Sequence, residues 1–463
     1  MLKGMCDKSR ILDIMKNFTG YQETKSGTVK VIAGYHQYHA ANKAIEKTVK
    51  AIKGDKKVGV VWHTQGSGKS LTMAFYVAKL TMDARMDNPS IVLLTDRNDL
   101  DEQLFNTFSD YKQIFREDPQ KIETQRDLKS SLKVASGGIF FTTIQKFSEK
   151  QGSQFETLST RSNIIVVADE AHRTQYGLKG KVTKSNQLKY GFAKYLRDAL
   201  PNASFLGFTG TPIDLADKST RAIFGSYIDV YDMHTAIEDK RVVPIYYESK
   251  LVKLGKNEDI FKQLDEDVED VTELEERESK EYLKTKWSTV EALVGTDKRI
   301  ETIAQAIVRH FELKQATVDG KAIVVCMSRR ICIDLHNALI KLRPNWYSRD
   351  DKKGTLKVVM TGSAADGTKW QEHIRTKQKR KELAEHFKDS SSDFKLAIVR
   401  DMWLTGFDVP ALNTLYLDKP IRHHNLMQAI ARVNRVYKDK VGGVIVDFIG
   451  IADELKKATL AYS

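Results

Sequence analysis

Cysteine is scarce in this sequence, which has only Cys6, Cys326 and Cys332 among 463 residues. The three are not spaced as the ligands of a zinc site, and an odd number excludes a fully paired disulfide framework. Such a count in a chain of this length is typical of a cytosolic protein with reduced thiols. We therefore expect a cytoplasmic protein without a cysteine-based metal site.

Long apolar segments are also missing. The sequence has no uninterrupted apolar run of ~20 residues and no signal-peptide layout at its start, which argues against a membrane protein and a secreted one. It also has no Gly/Ser-rich linker and no short-period repeat. Hydrophobic residues make up 41% and charged residues 29%, a globular composition rather than a disordered one. At this length we expect at least two domains.

The net charge of +13 is unevenly distributed along the chain. Residues 258–281 contain twelve acidic and three basic side chains, so the basic excess lies elsewhere. Because Lys and Arg bind phosphates, a polyanion such as nucleic acid is a plausible partner, with a merely solubilising surface as the alternative. Basic clusters at residues 179–189 and 375–381 are candidate contacts, although exposed charge runs are commonly just solvated.

A glycine-rich loop, WHTQGSGKS, stands at residues 62–70, after the apolar run 58–61 and before a helix-like stretch. A phosphate-binding loop requires this context: its backbone N–H groups cradle a polyphosphate, Lys69 reaches the outer oxygens and Ser70 can ligate Mg²⁺. His63 replaces the first glycine of the general pattern, so an ordinary strand-to-helix turn is the alternative. The residues predicted to bind nucleotide here are Gln65, Gly66, Ser67, Gly68, Lys69 and Ser70.

Short apolar runs alternate with helix-length segments along most of the chain, which predicts α/β architecture with parallel sheets covered on both faces. The first series of runs lies at residues 58–61, 91–95, 139–143, 164–168 and 204–208. The second series lies at residues 323–326, 357–360, 396–399, 414–417 and 444–447. We predict one domain at residues 35–242 and a second at 243–463, with an acidic insertion at 256–282.

Residues 1–34 precede the first predicted domain. They combine an amphipathic helical pattern with a polar loop, and we interpret them as a linker from a preceding domain, with a plain N-terminal extension as the alternative. Just after them, Gln37 opens a helix-like segment. Its amide offers both the donor and the acceptor that an adenine edge requires, although a surface glutamine is the simpler interpretation.

A pair of carboxylates, Asp169 and Glu170, follows the apolar run 164–168 and precedes His172. Buried carboxylates at a strand end are costly unless they are used. In a hydrolytic phosphate site Asp169 would hold Mg²⁺, while Glu170 would orient and deprotonate the attacking water. A helix N-cap would explain Asp169 alone but not the pair.

Three further segments complete the pattern. Residues 207–212 (GFTGTP) end another predicted strand, and residues 405–408 (TGFD) and 428–435 (QAIARVNR) lie in the second domain. If the last segment is helical, Gln428, Arg432 and Arg435 share one face, and the arginines could stabilise a transferring phosphoryl group. A solvated helix is the alternative for either arginine considered singly.

Together these segments resemble the motifs of superfamily 2 helicases and translocases of the DEAH type. The runs WHTQGSGKS (62–70), TDRNDLD (95–101) and DEAHRTQY (169–176) and residues 426–437 are similar to the HsdR restriction and motor subunit of type I restriction-modification enzymes. His63 agrees with that family. The resemblance implies two tandem RecA-like domains with an ATP cleft between them.

The resemblance also implies roles for residues. Lys69, Asp169, Glu170, Arg432 and Arg435 would be catalytic, with ATP and Mg²⁺ as cofactors and Ser70 and Asp169 at the metal. Beyond the phosphate loop, the implied nucleotide contacts are Gln37, His172, Gly406, Asp408 and Gln428. The implied DNA contacts are Arg97, Thr143, Thr211, Ser328 and Thr405.

The implied function is ATP-driven translocation of double-stranded DNA in a bacterial or archaeal cytoplasm, before cleavage by a nuclease domain. The methyltransferase and specificity subunits would be partners. We find neither the family's nuclease domain nor its C-terminal helical region, and so expect a motor fragment. The alternatives are a strand-separating DNA repair or RNA helicase, and a DNA-binding scaffold that is switched by nucleotide without turnover.

Overall fold

The computed structural model describes residues 2–24, 27–95, 98–147, 157–171, 181–182, 188–189, 192–211, 220–252, 290–362, 366–404, 406–421 and 423–461. Backbone contacts divide the chain into two compact units, Met1–Ala236 and Ile237–Ser463. The predicted acidic insertion, 256–282, lies outside the described residues. No helix in the described ranges is both long and apolar enough to cross a membrane.

The N-terminal segment of the first unit is more ordered than its sequence suggests. Helices α1 (Leu2–Met5) and α2 (Lys8–Asn17) are followed by an antiparallel hairpin of β1 (Thr19–Thr24) and β2 (Gly27–Ile32). The polar loop predicted here is therefore wrong. Backbone pairing forms the hairpin although its side chains are largely exposed, so hydrophobic patterning gives little sign of it.

The core of the first unit is a seven-stranded sheet in which each described pair of neighbours is parallel. The remaining strands of this unit are β3 (Lys57–His63), β4 (Ser90–Thr95), β5 (Gln120–Lys121), β6 (Ile139–Thr143), β7 (Ile164–Ala168), β8 (Lys181–Val182), β9 (Leu188–Lys189), β10 (Ser204–Thr209) and β11 (Tyr227–Tyr231). The strand order is β11-β3-β10-β7-β4-β6-β5, while β8 and β9 form a separate antiparallel pair.

Helices cover this sheet. They are α3 (Tyr35–Ala51), α4 (Lys69–Thr81), α5 (Asn98–Asp110), α6 (Gln125–Ser131), α7 (Phe192–Ala199), α8 (Thr220–Phe224) and α9 (Met233–Glu238). Most residues of α4 are buried, because it packs close to the sheet and to α3. All five predicted apolar runs of this unit form strands, whereas β5 and β11 were not predicted. Most side chains of β11 are only half-buried, so it lacks the continuous apolar run of a central strand.

The second unit repeats this plan with a six-stranded parallel sheet. Its strands are β12 (Ile245–Ser249), β13 (Lys321–Cys326), β14 (Leu356–Val359), β15 (Leu396–Val399), β16 (Leu412–Asp418) and β17 (Gly443–Asp447). Its helices are α10 (Asp297–Gln315), α11 (Arg329–Leu342), α12 (Thr368–Gln371), α13 (Lys377–Lys388), α14 (His423–Ile430) and α15 (Ala452–Ala461). The strand order is β12-β17-β16-β13-β15-β14.

The five apolar runs predicted for the second unit coincide with its inner strands and with β14. The edge strand β12 was not predicted, because its side chains are only partly buried. A buried ion pair joins Arg299 of α10 to Asp418 at the end of β16, with 2.6 Å between Nη2 and Oδ1. The structure thus confirms the predicted α/β class with two parallel sheets.

Candidate functional site

The phosphate-binding loop connects the end of β3 to the start of α4. Gly68 caps α4 in a left-handed conformation, with φ of 85°, and a Cβ at this position would lie 2.6 Å from Nε2 of Gln37. Only glycine fits both demands without strain. Lys69 and Ser70 then form the first turn of α4, where the positive end of the helix dipole favours an anion. The predicted loop residues are therefore assembled around a helix N-terminus.

Helix α3 holds this loop from one side. Nε2 of Gln37 donates to the carbonyl of Gly68 at 3.1 Å, and its Oε1 accepts from the backbone N–H of Gly34 at 2.8 Å. The ring of His36 lies 2.9 Å from the carbonyl of Ser67, to which its Nε2–H donates. Gln37 is only 6% exposed. The side chain predicted to read adenine thus positions the loop here, and the role of His36 was missed.

His63 is fully buried at the end of β3. Its Nε2 donates to Oδ2 of Asp229 on β11 at 3.0 Å, and Asp229 also accepts from Nζ of Lys43 on α3 at 2.5 Å. Burial lowers the pKa of His63, although the bond to Asp229 opposes this, so the ring is neutral at neutral pH. The unusual residue of the loop therefore has a partner 166 positions away.

The acidic pair lies in the turn after β7, where both residues are half-buried. The N–H of Asp169 donates to the carbonyl of Leu94 at 2.9 Å, and that of Ala171 donates to the carbonyl of Phe208 on β10 at 3.0 Å. Glu170, between them, is left-handed with φ of 48°. A non-glycine residue persists in this region only where its surroundings fix it, which these strand-end bonds do.

Strand β10 joins the acidic turn to the phosphate loop. Gly210 follows directly after it, and a Cβ there would lie 2.8 Å from Cγ of Gln65 and 3.0 Å from Nζ of Lys69. Gly210 therefore lies next to Lys69, while the carbonyl of Phe208, two residues earlier, accepts the bond from the acidic turn. Of the predicted site, the structure brings Gln65, Lys69 and Gly210 together.

In the second unit, the segment predicted as one helical face is not a single helix. Helix α14 ends at Ile430, Arg432 lies in the turn that follows, and Arg435 forms an antiparallel bridge with Val242. The shared face of Gln428, Arg432 and Arg435 is therefore wrong. The backbone leaves the helix because it pairs with residues 242–243. The N–H of Val243 donates to the carbonyl of Asn434 at 2.7 Å.

Both arginines nevertheless converge on the loop after β15. Nη1 of Arg432 donates to the carbonyl of Phe407 at 2.8 Å, and its Nε donates to the carbonyl of Gln428 at 3.1 Å. Nε of Arg435 donates to Oδ1 of Asp408 at 2.7 Å. The predicted residues Gln428, Arg432, Arg435 and Asp408 thus form one cluster next to Gly406.

Three of the predicted DNA contacts lie in the described part of the chain. Thr143 is buried at the end of β6, Thr211 is buried two residues after β10, and Oγ of Ser328 caps α11 by accepting from the N–H of Ile331 at 3.2 Å. In the basic cluster 375–381, Arg375 already pairs with Asp351 at 2.6 Å. Outside the described residues lie Arg97, His172, Thr405 and most of the cluster 179–189.

The residues present fit a nucleoside triphosphate with Mg²⁺. Because Gly210 has no side chain, space remains beside Nζ of Lys69. A Cβ at this position would lie 3.0 Å from that nitrogen, so any larger residue would fill the space. Mg²⁺ is usually held by one or two protein oxygens together with phosphates. Ser70 and Asp169 supply such oxygens, and no group of three or more His, Cys, Asp or Glu is placed to hold a metal among the residues described.

Comparison with known families supports the same chemistry. Residues 36–281 match the SWI2/SNF2 ATPase family, and residues 345–450 match type I restriction enzyme subunit R domain 3. The chain is 46% identical over its whole length to the type I restriction enzyme HindI endonuclease subunit of Haemophilus influenzae, covering 44% of it. A subunit assigned as type I restriction enzyme MjaIXP, of Methanocaldococcus jannaschii, is 41% identical, with 42% covered. The chain thus spans less than half the length of these relatives.

Solved structures share the fold. A fragment assigned to an HsdR subunit of a type I restriction enzyme from Vibrio vulnificus superposes with a TM-score of 0.56 at 17% identity, covering 91% of this chain and 65% of that one. The type ISP restriction-modification enzyme LlaBIII, solved bound to DNA, gives 0.55 at 13% identity, covering 90% and 28%. The predicted resemblance to the type I restriction motor subunit is confirmed. Because the first family match covers more than half of its residues, the chain belongs to the SWI2/SNF2 ATPase family and is an ATP-hydrolysing enzyme.

Proposed function

We propose that this chain is the motor part of a type I restriction endonuclease R subunit and that ATP hydrolysis drives translocation of double-stranded DNA. The proposal rests on the position of β10 between the two parts of the site. The carbonyl of Phe208, in this strand, accepts a bond from the acidic turn, and Gly210, directly after the strand, lies against Lys69 of the phosphate loop. A lysine that binds phosphate and a carboxylate that activates water must act on the same phosphoryl group. A shared strand gives them a fixed spacing.

In the proposed reaction the first unit binds and orients the triphosphate. The loop N–H groups and Lys69 hold the phosphates, and Ser70 and Asp169 would hold Mg²⁺, which when bound neutralises phosphate charge. Glu170 accepts a proton from the attacking water. Its left-handed backbone is held by bonds on both sides, which fixes the direction in which the side chain leaves the turn.

The second unit is proposed to supply positive charge in the working, ATP-bound state. Arg432 and Arg435 would stabilise the charge that spreads over the transferring phosphoryl oxygens, an effect worth roughly 10³ to 10⁵ in rate for such arginines. Asp408 and Gln428 set the positions of these two side chains. Loss of the γ-phosphate after hydrolysis would release them and allow the movement that transports DNA.

Double-stranded DNA, a methyltransferase subunit and a specificity subunit are the proposed partners, in a bacterial or archaeal cytoplasm. The proposal follows from the relatives, which carry the names of restriction enzyme subunits. We also propose the domain limits 35–242 and 243–463. DNA contacts would be mainly to phosphates, so binding should weaken steeply as salt rises.

The test combines two measurements on the same preparation. Duplex DNA should stimulate phosphate release, and the protein should displace the third strand of a DNA triplex without separating the duplex. Lys69→Ala should abolish both. Separation of a labelled duplex strand would instead indicate a helicase, and DNA binding with no phosphate release in the unmodified protein would indicate a nucleotide-switched scaffold.

A further inference from the structure

Trp403 has an unusual backbone conformation for a large aromatic residue. Its φ is 69°, in the left-handed region, and it is the one aromatic residue with positive φ among those described. A bulky side chain is a genuine outlier there, and such residues cluster where the surrounding structure holds a functional geometry. Trp403 lies in the loop after β15, four residues before Phe407.

An aromatic stack holds Trp403 in this conformation. Its ring lies 4.3 Å from that of Phe407 at an angle of 18°, and 5.1 Å from that of Phe387 on α13 at 27°. Phe394 flanks the stack at 6.4 Å. Phe387 is fully buried and Trp403 is 9% exposed. The stack therefore fixes the loop after β15 to the body of the second unit.

The same loop carries the acceptors of both arginines. The carbonyl of Phe407 accepts from Nη1 of Arg432, and the carboxylate of Asp408 accepts from Nε of Arg435. The stacked ring anchors the backbone of Phe407, so a shift of that backbone after loss of the stack would move the Phe407 carbonyl and displace Asp408. The orientation of both guanidinium groups thus depends on Phe407, whose ring is held by stacking on Trp403.

We propose that Trp403 is a positioning residue for ATP hydrolysis, acting through Phe407 and Asp408 on Arg432 and Arg435. Its ring packs on Phe387, Phe394 and Phe407, and its role needs no contact with nucleotide. The inference rests on the proposed role of the two arginines in hydrolysis. Since the triphosphate is proposed to be held mainly by the phosphate loop and Lys69 of the first unit, loss of the stack should lower kcat and leave KM nearly unchanged.

The test uses Trp403→Phe, Trp403→Leu and Trp403→Gly in the whole chain, with kcat, KM for ATP and thermal unfolding measured for each. Trp403→Leu is expected to lower kcat about tenfold with KM within about twofold, whereas Trp403→Phe keeps a stacking ring and most of the activity. Trp403→Gly accepts the left-handed turn but lacks the ring, so it should lose activity as Trp403→Leu does.

Trp346 provides a matched control. It is buried to a similar degree, at 7% exposure, and its ring packs on Phe311 in the same unit at 5.4 Å. Trp346→Leu should lower the unfolding temperature without changing kcat per folded molecule. Should Trp403→Leu fail to fold, Phe387→Leu keeps the turn and weakens the stack, and should still lower kcat.

A double variant separates this inference from the proposed function. If Trp403 acts through the arginines, Trp403→Leu should cause a smaller fold loss in an Arg435→Ala background than in the wild type. Full activity of Arg435→Ala would refute the arginine role and, with it, this inference. A large loss in Arg435→Ala together with wild-type kcat in Trp403→Leu and Phe387→Leu would overturn the inference alone. Equal fold losses in the wild type and in an Arg432→Ala/Arg435→Ala background would also overturn it.

Discussion

The two units have the same architecture but organise their candidate sites differently. In the first unit, the phosphate loop, the acidic turn and Gly210 each directly follow a parallel strand, so the sheet brings them to one edge. In the second unit, the arginines follow a helix that ends at Ile430, and their side chains bond to a loop more than twenty residues earlier. Strand ends position the first site, and loop contacts position the second.

The difference has a consequence for substitutions. A site at strand ends should tolerate changes in neighbouring side chains, because the sheet backbone holds it. A site held by loop carbonyls, one carboxylate and an aromatic stack should respond to changes several residues away. Conversely, the first unit should show its strongest effects only at residues that contact nucleotide.

The largest expected effect is in the second unit. Arg435→Ala should reduce kcat by about 10³-fold, because an arginine that neutralises a transferring phosphoryl group has an effect of this order. Steady-state phosphate release would measure it. Arg343→Ala is the control, since Arg343 pairs with Glu312 on the surface of the same unit at 2.5 Å. A loss below tenfold for Arg435→Ala would place the phosphoryl charge under the control of the first unit alone.

Next in size is Glu170→Gln in the first unit. Replacing the proton acceptor should lower kcat about 10²-fold while leaving ATP binding intact, because general base catalysis contributes about this much. Single-turnover hydrolysis and nucleotide binding on the same sample would check both parts. Glu46→Gln, which changes a surface partner of Arg85, should behave as wild type. Unchanged single-turnover rates in Glu170→Gln would remove this residue from the mechanism.

Gln37→Ala should have a moderate effect of a different kind. It removes one bond to the carbonyl of Gly68 and one from the N–H of Gly34. Loss of about 1 kcal/mol in loop positioning predicts a rise in KM for ATP of about tenfold or less, with little change in kcat. Gln22→Ala is the control, because Gln22 is half-buried and also makes two hydrogen bonds, but its partners are Asp110 and Tyr111 rather than the loop. A fall in kcat at constant KM would show that Gln37 acts on chemistry rather than on the loop.

The smallest expected effect concerns pH and the second unit. Burial lowers the pKa of Lys440 to about 7, and its Nζ donates to the carbonyl of Leu412, close to the arginine loop. The unfolded chain keeps that proton until near pH 10, so the free energy of unfolding should rise as pH increases from 7 toward 10. Below pH 7 both states are protonated, so the destabilisation by the buried charged lysine is fully present and no longer changes with pH.

Chemical denaturation at pH 7.5 and 8.5 would measure this effect. The wild type should gain about 1 kcal/mol relative to Lys440→Met over that interval. Lys395→Met is the control, because Lys395 pairs with the carboxylate of Asp319 at 2.9 Å. Parallel pH profiles for the wild type and Lys440→Met would show that Lys440 stays charged in the folded protein.

The sequence predicts the fold and the site most closely where a functional motif directly follows a buried strand. The loop at residues 62–70 could be predicted because glycine, lysine and serine are required at fixed positions between a strand and a helix. The apolar runs predicted ten strands of the two sheets, because central parallel strands are buried on both faces. The sequence does not predict the edge strands β11 and β12, because their side chains are mostly half-buried and form no clear pattern of apolar and polar residues.

Helical periodicity was a weaker guide. Residues 428–435 fit a helix of suitable spacing, but the backbone leaves it at Ile430 to pair with residues 242–243. That pairing joins segments nearly two hundred residues apart, so no local pattern contains it. The sequence does not predict the hairpin of β1 and β2 either, because backbone hydrogen bonds rather than apolar side chains hold it together.

The sequence by itself determined which residues can bind phosphate and activate water, since these roles need particular side chains at short, fixed spacings. Only the tertiary structure decided what holds them in place. The neighbouring positions of β3 and β11 give His63 its partner Asp229, and the stack on Phe387 fixes the loop that carries Asp408. Such contacts depend on strand order and packing between distant segments, which local sequence does not encode.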